Sequence, residues 1–197
     1  MSNRPVGILL AAGKSARFGS NKLLYPVIDN TPMILVSAAK LVSVLPDSIV
    51  VINRALNTLT TQLEQMGMRI VINEQPEQGM GSSIACGVRA SEFTNDKSCQ
   101  EAGGWLIMLA DMPYIKTETI KVLADKLNDG ARMVVPTFDQ QRGHPVGFSQ
   151  CYRKELLALN EDVGARQVLK NNQNELELVS INDEGILIDI DQPGDVL

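Results

Sequence analysis

The sequence has no surplus of positive charge, no long apolar run and no paired-cysteine spacing, and each absence removes a class of protein. A net charge of -5 argues against a nucleic-acid scaffold, because binders of polyanions carry a basic surplus that eases approach to phosphates. The three cysteines, Cys86, Cys99 and Cys151, include no Cys-x-x-Cys pair and are odd in number. That argues against a disulfide framework and fits a reducing, cytoplasmic setting. The apolar stretch before Gly13, about seven residues, is too short for a secretory core or a membrane span. There is one histidine, His144, so imidazole chemistry has a single candidate. No repeat, low-complexity tract or linker divides the chain. Its 197 residues, 44% hydrophobic and 21% charged, suffice for one buried core, and a single domain over 1–197 is expected.

What is present is concentrated first in Leu10-Ala11-Ala12-Gly13-Lys14-Ser15-Ala16-Arg17-Phe18-Gly19-Ser20-Asn21-Lys22. It follows the apolar run Val6-Gly7-Ile8-Leu9-Leu10 directly, which reads as a buried parallel strand. Ligand sites in open α/β sheets lie at the carboxyl ends of such strands. Glycines let backbone N–H groups close around phosphate oxygens. Arg17 can fork onto a β- or γ-phosphate, and Lys22 can place a point charge at an α-phosphate. Five residues separate Gly13 from Gly19, and Ser20 follows, so the loop is not a Walker loop. It also lacks the Gly-x-Gly-x-x-Gly fingerprint of dinucleotide enzymes, and no acidic residue ends a second strand near position 32. The alternative is a basic surface turn.

Further along, residues 48–52, 69–72, 105–110 and 132–135 read as strands. Thr31-Pro32 places a capping hydroxyl and an N1 proline before a helix over 33–44, and 56–66 and 117–127 read as further helices. This alternation predicts a mostly parallel sheet with helices on both faces. Three more clusters punctuate it. Gln78-Gly79-Met80-Gly81-Ser82-Ser83 precedes a helix expected from Ser83 to Ala90. Gly79, Ser82 and Ser83 there suit the polar edge of a nucleotide base, or simply a turn with an N-cap. In Leu109-Ala110-Asp111-Met112-Pro113 a carboxylate ends a strand, where it can hold Mg²⁺ beside substrate phosphates or cap the following turn. In Gln141-Arg142-Gly143-His144-Pro145-Val146, Arg142 can clamp an anionic acceptor. His144, between glycine and proline, fits a shape-determining hydrogen-bonding role better than that of a general base.

These residues together resemble a molybdenum cofactor cytidylyltransferase, within the nucleotidyltransferases related to molybdenum cofactor guanylyltransferases. The match rests on Leu-Ala-Ala-Gly through Lys22, Gly79 to Ser83, Asp111-Met112-Pro113, Arg142 to Pro145, Gly164-Ala165-Arg166 and the terminal Asp189-Ile190-Asp191-Gln192-Pro193-Gly194-Asp195. The resemblance implies a Rossmann-like, GT-A-like three-layer α/β/α fold. It also implies Mg²⁺-dependent transfer of CMP from CTP to the phosphate of molybdopterin, releasing pyrophosphate. Leu10-Ala11-Ala12-Gly13 resembles the cytidylyl pattern, where guanylyl relatives carry Leu-Ala-Gly-Gly. Arg17 and the Gly13 loop would then hold pyrophosphate, Lys22 the α-phosphate and Asp111 the metal. Asp189 or Asp191 would complete the metal site, unless that acidic turn is only a turn. Arg142 and His144 would border the acceptor, and a molybdoenzyme of the xanthine dehydrogenase type would be the client. Neither nucleic acid nor membrane is expected as a partner. Two alternatives stand: transfer to a sugar phosphate or other small phosphate, and a cofactor-binding delivery protein or NAD(P)H-dependent oxidoreductase on the same fold.

Overall fold

A computed structural model describes residues 4–13, 21–91, 103–160 and 164–196. Its centre is β1 (Val6–Ala11), buried at every position, because strands covered by helices on both faces have no solvated side. Its side chains alternate between two cores. Leu9 and Ala11 join Met33, Leu41, Leu63, Ile120 and Leu123, whereas Val6, Ile8 and Leu10 join Ile84, Val88, Leu156 and Val168. The first core is roofed by α1 (Met33–Val44), α2 (Thr60–Gln65) and α4 (Thr117–Asn128). The second is roofed by α3 (Gly79–Ala90) and the short helices α5 (Arg153–Leu157) and α6 (Arg166–Asn171). This is the expected three-layer α/β arrangement.

The main sheet also contains β4 (Ile49–Ile52), β5 (Arg69–Ile72), β6 (Trp105–Leu109), β7 (Met133–Phe138), β8 (Gln141–Arg142), β9 (Val146–Phe148) and β10 (Leu176–Ser180). A small antiparallel pair, β2 (Pro26–Ile28) and β3 (Thr31–Pro32), stands apart. The sheet order is β10-β7-β9-β6-β1-β4-β5, with β8 paired to β7. Pairs β1·β4, β1·β6, β4·β5 and β7·β10 are parallel. The exceptions are β8, antiparallel to β7, and β9, which runs antiparallel between β6 and β7. The latter gets there through a tight hairpin: Asp139 and Gln140 take φ of 47° and 65°, as a type I′ turn requires, and β8 folds back on β7.

Three local expectations change. Thr31 does not cap α1: Pro32 occupies the cap position with no side-chain bond, and Thr31 and Pro32 extend as β3. The expected helix over 56–66 is a 3₁₀ turn, Arg54–Leu59, followed by the six-residue α2. The stretch Asn57-Thr58-Leu59-Thr60-Thr61 is rich in residues that compete with helical hydrogen bonding or crowd the preceding turn. The helix expected from Ser83 begins at Gly79, because the Ser82 hydroxyl bonds back to the Gly79 carbonyl at 2.8 Å and so folds into the first turn.

The carboxyl ends of β1 and β6 lie side by side, tied by Ala110 N–H to the Leu10 carbonyl at 3.0 Å. The C-terminal segment 183–195 straps this edge. Asp183 is fully buried. It accepts the Lys116 N–H at 2.8 Å and the Thr119 hydroxyl at 2.6 Å, capping the start of α4. Two glycines permit the strap's close passage. A Cβ on Gly185 would meet the Tyr114 carbonyl at 2.3 Å, and one on Gly143 would meet that of Ile186 at 2.3 Å. The strap then donates the Ile190 N–H to the Asp111 carbonyl at 3.0 Å and buries Ile186 and Ile190 completely.

Candidate functional site

At this edge opens a cavity of about 390 Å³. One wall is Leu10, Ala11, Ala12 and Gly13 at the end of β1. The opposite wall is Gly79, Met80 and Ser83 at the start of α3, and Lys22 and Asp111 lie between. The Asn53 amide holds the rim of the β1 wall by donating to the Ala12 carbonyl at 3.2 Å. Asn73 organises the α3 wall. It is buried, takes the Gln75 N–H at 2.9 Å, and donates to the hydroxyls of Ser82 at 2.9 Å and Ser83 at 3.0 Å. Neither asparagine stood out in the sequence, since each acts by ending a strand beside a partner on another element, 41 residues away for Asn53 and nine or ten for Asn73. Pro76 and Glu77 also line this side.

The charged centre is a three-member clamp. Lys22 opens a 3₁₀ turn whose Asn21 side chain takes the Leu23 N–H at 3.2 Å. Its ammonium reaches Asp111 Oδ2 at 2.8 Å and Asp191 Oδ1 at 2.7 Å. Burial, the largest single influence on this lysine, pulls its pKa down. Hydrogen bonds and charges from Asp111 and Asp191 together outweigh that pull and raise it above the ordinary 10.5. Lys22 is therefore charged at neutral pH. The other oxygen of Asp111, Oδ1, is buried with no hydrogen-bond partner among the described residues.

Of the residues singled out from sequence, the structure brings Leu10 to Gly13, Lys22, Gly79, Ser83 and Asp111 around one cavity. Ser82 points its hydroxyl into the fold instead. Arg142 is exposed on β8, and Asp189 is exposed on the strap. His144 is half-buried, its N–H bonded to the Ile186 carbonyl at 3.0 Å and its peptide bond to Pro145 cis. The Nδ1 atom is buried without a partner among the described residues. Burial above all, opposed by Asp111 and Asp189 and aided by Arg166, holds its pKa below the ordinary 6.5. A neutral imidazole at pH 7 follows. Arg17, expected at pyrophosphate, lies outside the described residues.

The donor set suits a hard divalent cation. No group of three or more His, Cys, Asp or Glu is gathered for a metal among the described residues. Mg²⁺, however, asks of a protein only one or two carboxylates, with substrate phosphates and water completing its octahedron. Asp111 and Asp191 are two such carboxylates converging on a cation already, the Lys22 ammonium, and Asp111 Oδ1 is an acceptor still to be satisfied.

Known proteins resemble this chain along its length. The family model described as MobA-like NTP transferase domain matches residues 7–177. The purine catabolism protein PucB of Bacillus subtilis (strain 168) is 30% identical over 200 residues, spanning 95% of this chain and 92% of PucB. The nicotine blue oxidoreductase of Paenarthrobacter nicotinovorans is 26% identical over 193 residues, spanning 94% of this chain and 91% of that protein. Rv0371c from Mycobacterium tuberculosis H37Rv superposes with a TM-score of 0.81 at 23% identity, covering 99% of this chain and 96% of its own. Its complex with manganese gives a TM-score of 0.76 at 21% identity, covering 98% and 95%. At such identities the structural likeness establishes the fold. No helix among the described residues is long and apolar enough to cross a membrane.

Proposed function

The chain belongs to the MobA-like NTP transferase family, and on that premise we propose that it transfers CMP from CTP to the terminal phosphate of a molybdopterin-type cofactor, with Mg²⁺ and release of pyrophosphate. The observation that carries this reading is the Lys22–Asp111–Asp191 clamp on the wall of a cavity that Leu10-Ala11-Ala12-Gly13 lines. A cavity for a neutral metabolite has no use for a lysine between two carboxylates, whereas a phosphate-transfer site needs both signs of charge at one point.

An oxygen of the acceptor phosphate attacks the α-phosphorus. The bond from that phosphorus to the bridging oxygen breaks, and its electron pair departs with pyrophosphate. The attacking oxygen is already anionic, so no side chain has to remove a proton, and catalysis rests on alignment and charge neutralisation. A divalent cation on Asp111 and Asp191 supplies Lewis-acid neutralisation of the phosphates. Were a cation held there, the Lys22 ammonium, which now contacts both carboxylates, would be available to neutralise the α-phosphate. Asp189, on the same strap, is the further candidate ligand. Ser83, Gly79 and the β1 wall take the nucleoside, with Ser82 holding the turn, and Arg17 with the Gly13 loop takes pyrophosphate. Arg142 and the neutral His144 border the acceptor, His144 as a hydrogen-bonding shape element. The product would pass to a cytoplasmic molybdoenzyme of the xanthine dehydrogenase type.

The test is pyrophosphate release with the molybdopterin-type cofactor and Mg²⁺, comparing CTP, GTP, ATP and UTP at equal concentration. Release selective for CTP and dependent on cofactor and metal is expected. Release with a sugar phosphate instead would reassign the acceptor. The likeness to nicotine blue oxidoreductase favours a second reading as an oxidoreductase or cofactor-binding protein. NADPH consumption without pyrophosphate release would establish it.

A further inference from the structure

The strap delivers Asp191 to the clamp across 169 residues of sequence from Lys22, and a carboxylate held by one end of a chain needs something to fix its turn. Asp195 does so. Its Oδ2 accepts the N–H of Asp191 and that of Gln192, each at 2.9 Å, and its Oδ1 takes the Gln192 side-chain amide at 3.3 Å. Gln192 and Asp195 close a reciprocal capping box over the 3₁₀ turn Pro193–Asp195. On the other flank, Ile190 is anchored by its buried side chain and its bond to the Asp111 carbonyl. Asp191 is thus gripped from both sides, and its carboxylate meets the Lys22 ammonium at 2.7 Å.

We infer that Asp195 is a positioning residue that acts through Asp191 to set the site's affinity for a divalent cation. The inference rests on the reading of Asp111 and Asp191 as cation ligands. Two backbone donors share one oxygen of Asp195, so Asp195→Asn keeps the volume while weakening both bonds. Groups one step removed from a metal ligand change affinity by about 10- to 100-fold when mutated. Here the lower end of that range applies, because Asp195 holds the ligand's backbone and not its carboxylate.

The experiment is calorimetric Mn²⁺ binding to the protein without nucleotide or acceptor, for wild type, Asp195→Asn, Asp191→Asn and the double variant, with thermal unfolding of each recorded. About tenfold weaker binding in Asp195→Asn is expected, with the double variant no weaker than Asp191→Asn alone, as coupling through one group requires. Unchanged Mn²⁺ affinity in Asp195→Asn, or losses that multiply in the double variant, would overturn it. So would a wild type that takes up no Mn²⁺. If Asp195→Asn unfolds, Asp195→Glu, which keeps the charge, must bind Mn²⁺ better than Asp195→Ala. Because nothing is turned over, coupled Mn²⁺ losses with no pyrophosphate release would sink the transferase reading and leave this one standing.

Discussion

The ammonium of Lys22 and the imidazole of His144 both feel the charge of Asp111, yet the fold holds the first charged and the second neutral. Burial opposes charge in both. At Lys22 two carboxylates make direct contacts of 2.8 and 2.7 Å, and together these reverse the cost of desolvation. At His144 the carboxylates act only through space, the Arg166 charge opposes them, and Nδ1 has no partner among the described residues, so desolvation wins. Proximity to a carboxylate therefore does not decide protonation; contact with it does. The consequence is a positive charge on the cavity side and an uncharged imidazole between β8 and β9, beside the exposed Arg142.

The comparison breaks most severely if Asp111 is removed. Asp111→Ala should lower pyrophosphate release by about 10³-fold or more while the far-ultraviolet spectrum stays native, and near-normal turnover would remove Asp111 from the chemistry. Next comes Lys22→Met, which keeps the length of the side chain but not its charge. Turnover should fall about 100-fold, read as a loss in kcat measured at saturating CTP.

The smallest effect, and the one that sharpens the contrast, is on pH. Because the folded-state pKa of His144 lies below 6.5, the unfolded chain binds a proton that the folded one does not once pH falls beneath that value. Stability contributed by the neutral imidazole is therefore present above pH 6.5 and lost as pH falls toward the folded-state pKa. Lys22 works in the opposite sense: its raised pKa contributes stability below 10.5 that disappears as pH rises through the folded value. Urea midpoints between about pH 7.5 and pH 5 should decline in wild type and decline less steeply in His144→Gln. Identical slopes would mean that folding leaves the imidazole's pKa unshifted.

Much of this was visible in the sequence, for a physical reason. β1, β5 and the position of Asp111 are set by local patterns, apolar runs closed by a glycine, an asparagine or a carboxylate, and the structure keeps them; α1 starts at Met33 as expected, though without the expected threonine cap. The cavity walls followed because open α/β sheets gather strand ends at one edge. What stayed hidden depends on distance along the chain. Asp191 meets Lys22 only because Gly143 and Gly185 let the strap pass where a Cβ would collide with backbone. Asn53 and Asn73 serve the cavity through partners on other elements. The strand β9 escaped notice because its antiparallel entry depends on left-handed turn residues at Asp139 and Gln140, neither of them glycine. The helix start at Gly79 was missed because a glycine-rich stretch reads as loop until the Ser82 hydroxyl and the Asn73 amide are seen to hold it.

In the proposed reaction a divalent cation would take the place of the Lys22 ammonium between Asp111 and Asp191, leaving the ammonium to the α-phosphate. The most direct test is a crystal structure with CTP and Mn²⁺, the ion located by its anomalous signal. The expected result is Mn²⁺ ligated by Asp111 and Asp191, with the Lys22 ammonium withdrawn from them onto the α-phosphate. Mn²⁺ bound away from Asp111, or Lys22 still bridging both carboxylates with CTP in the cavity, would contradict it.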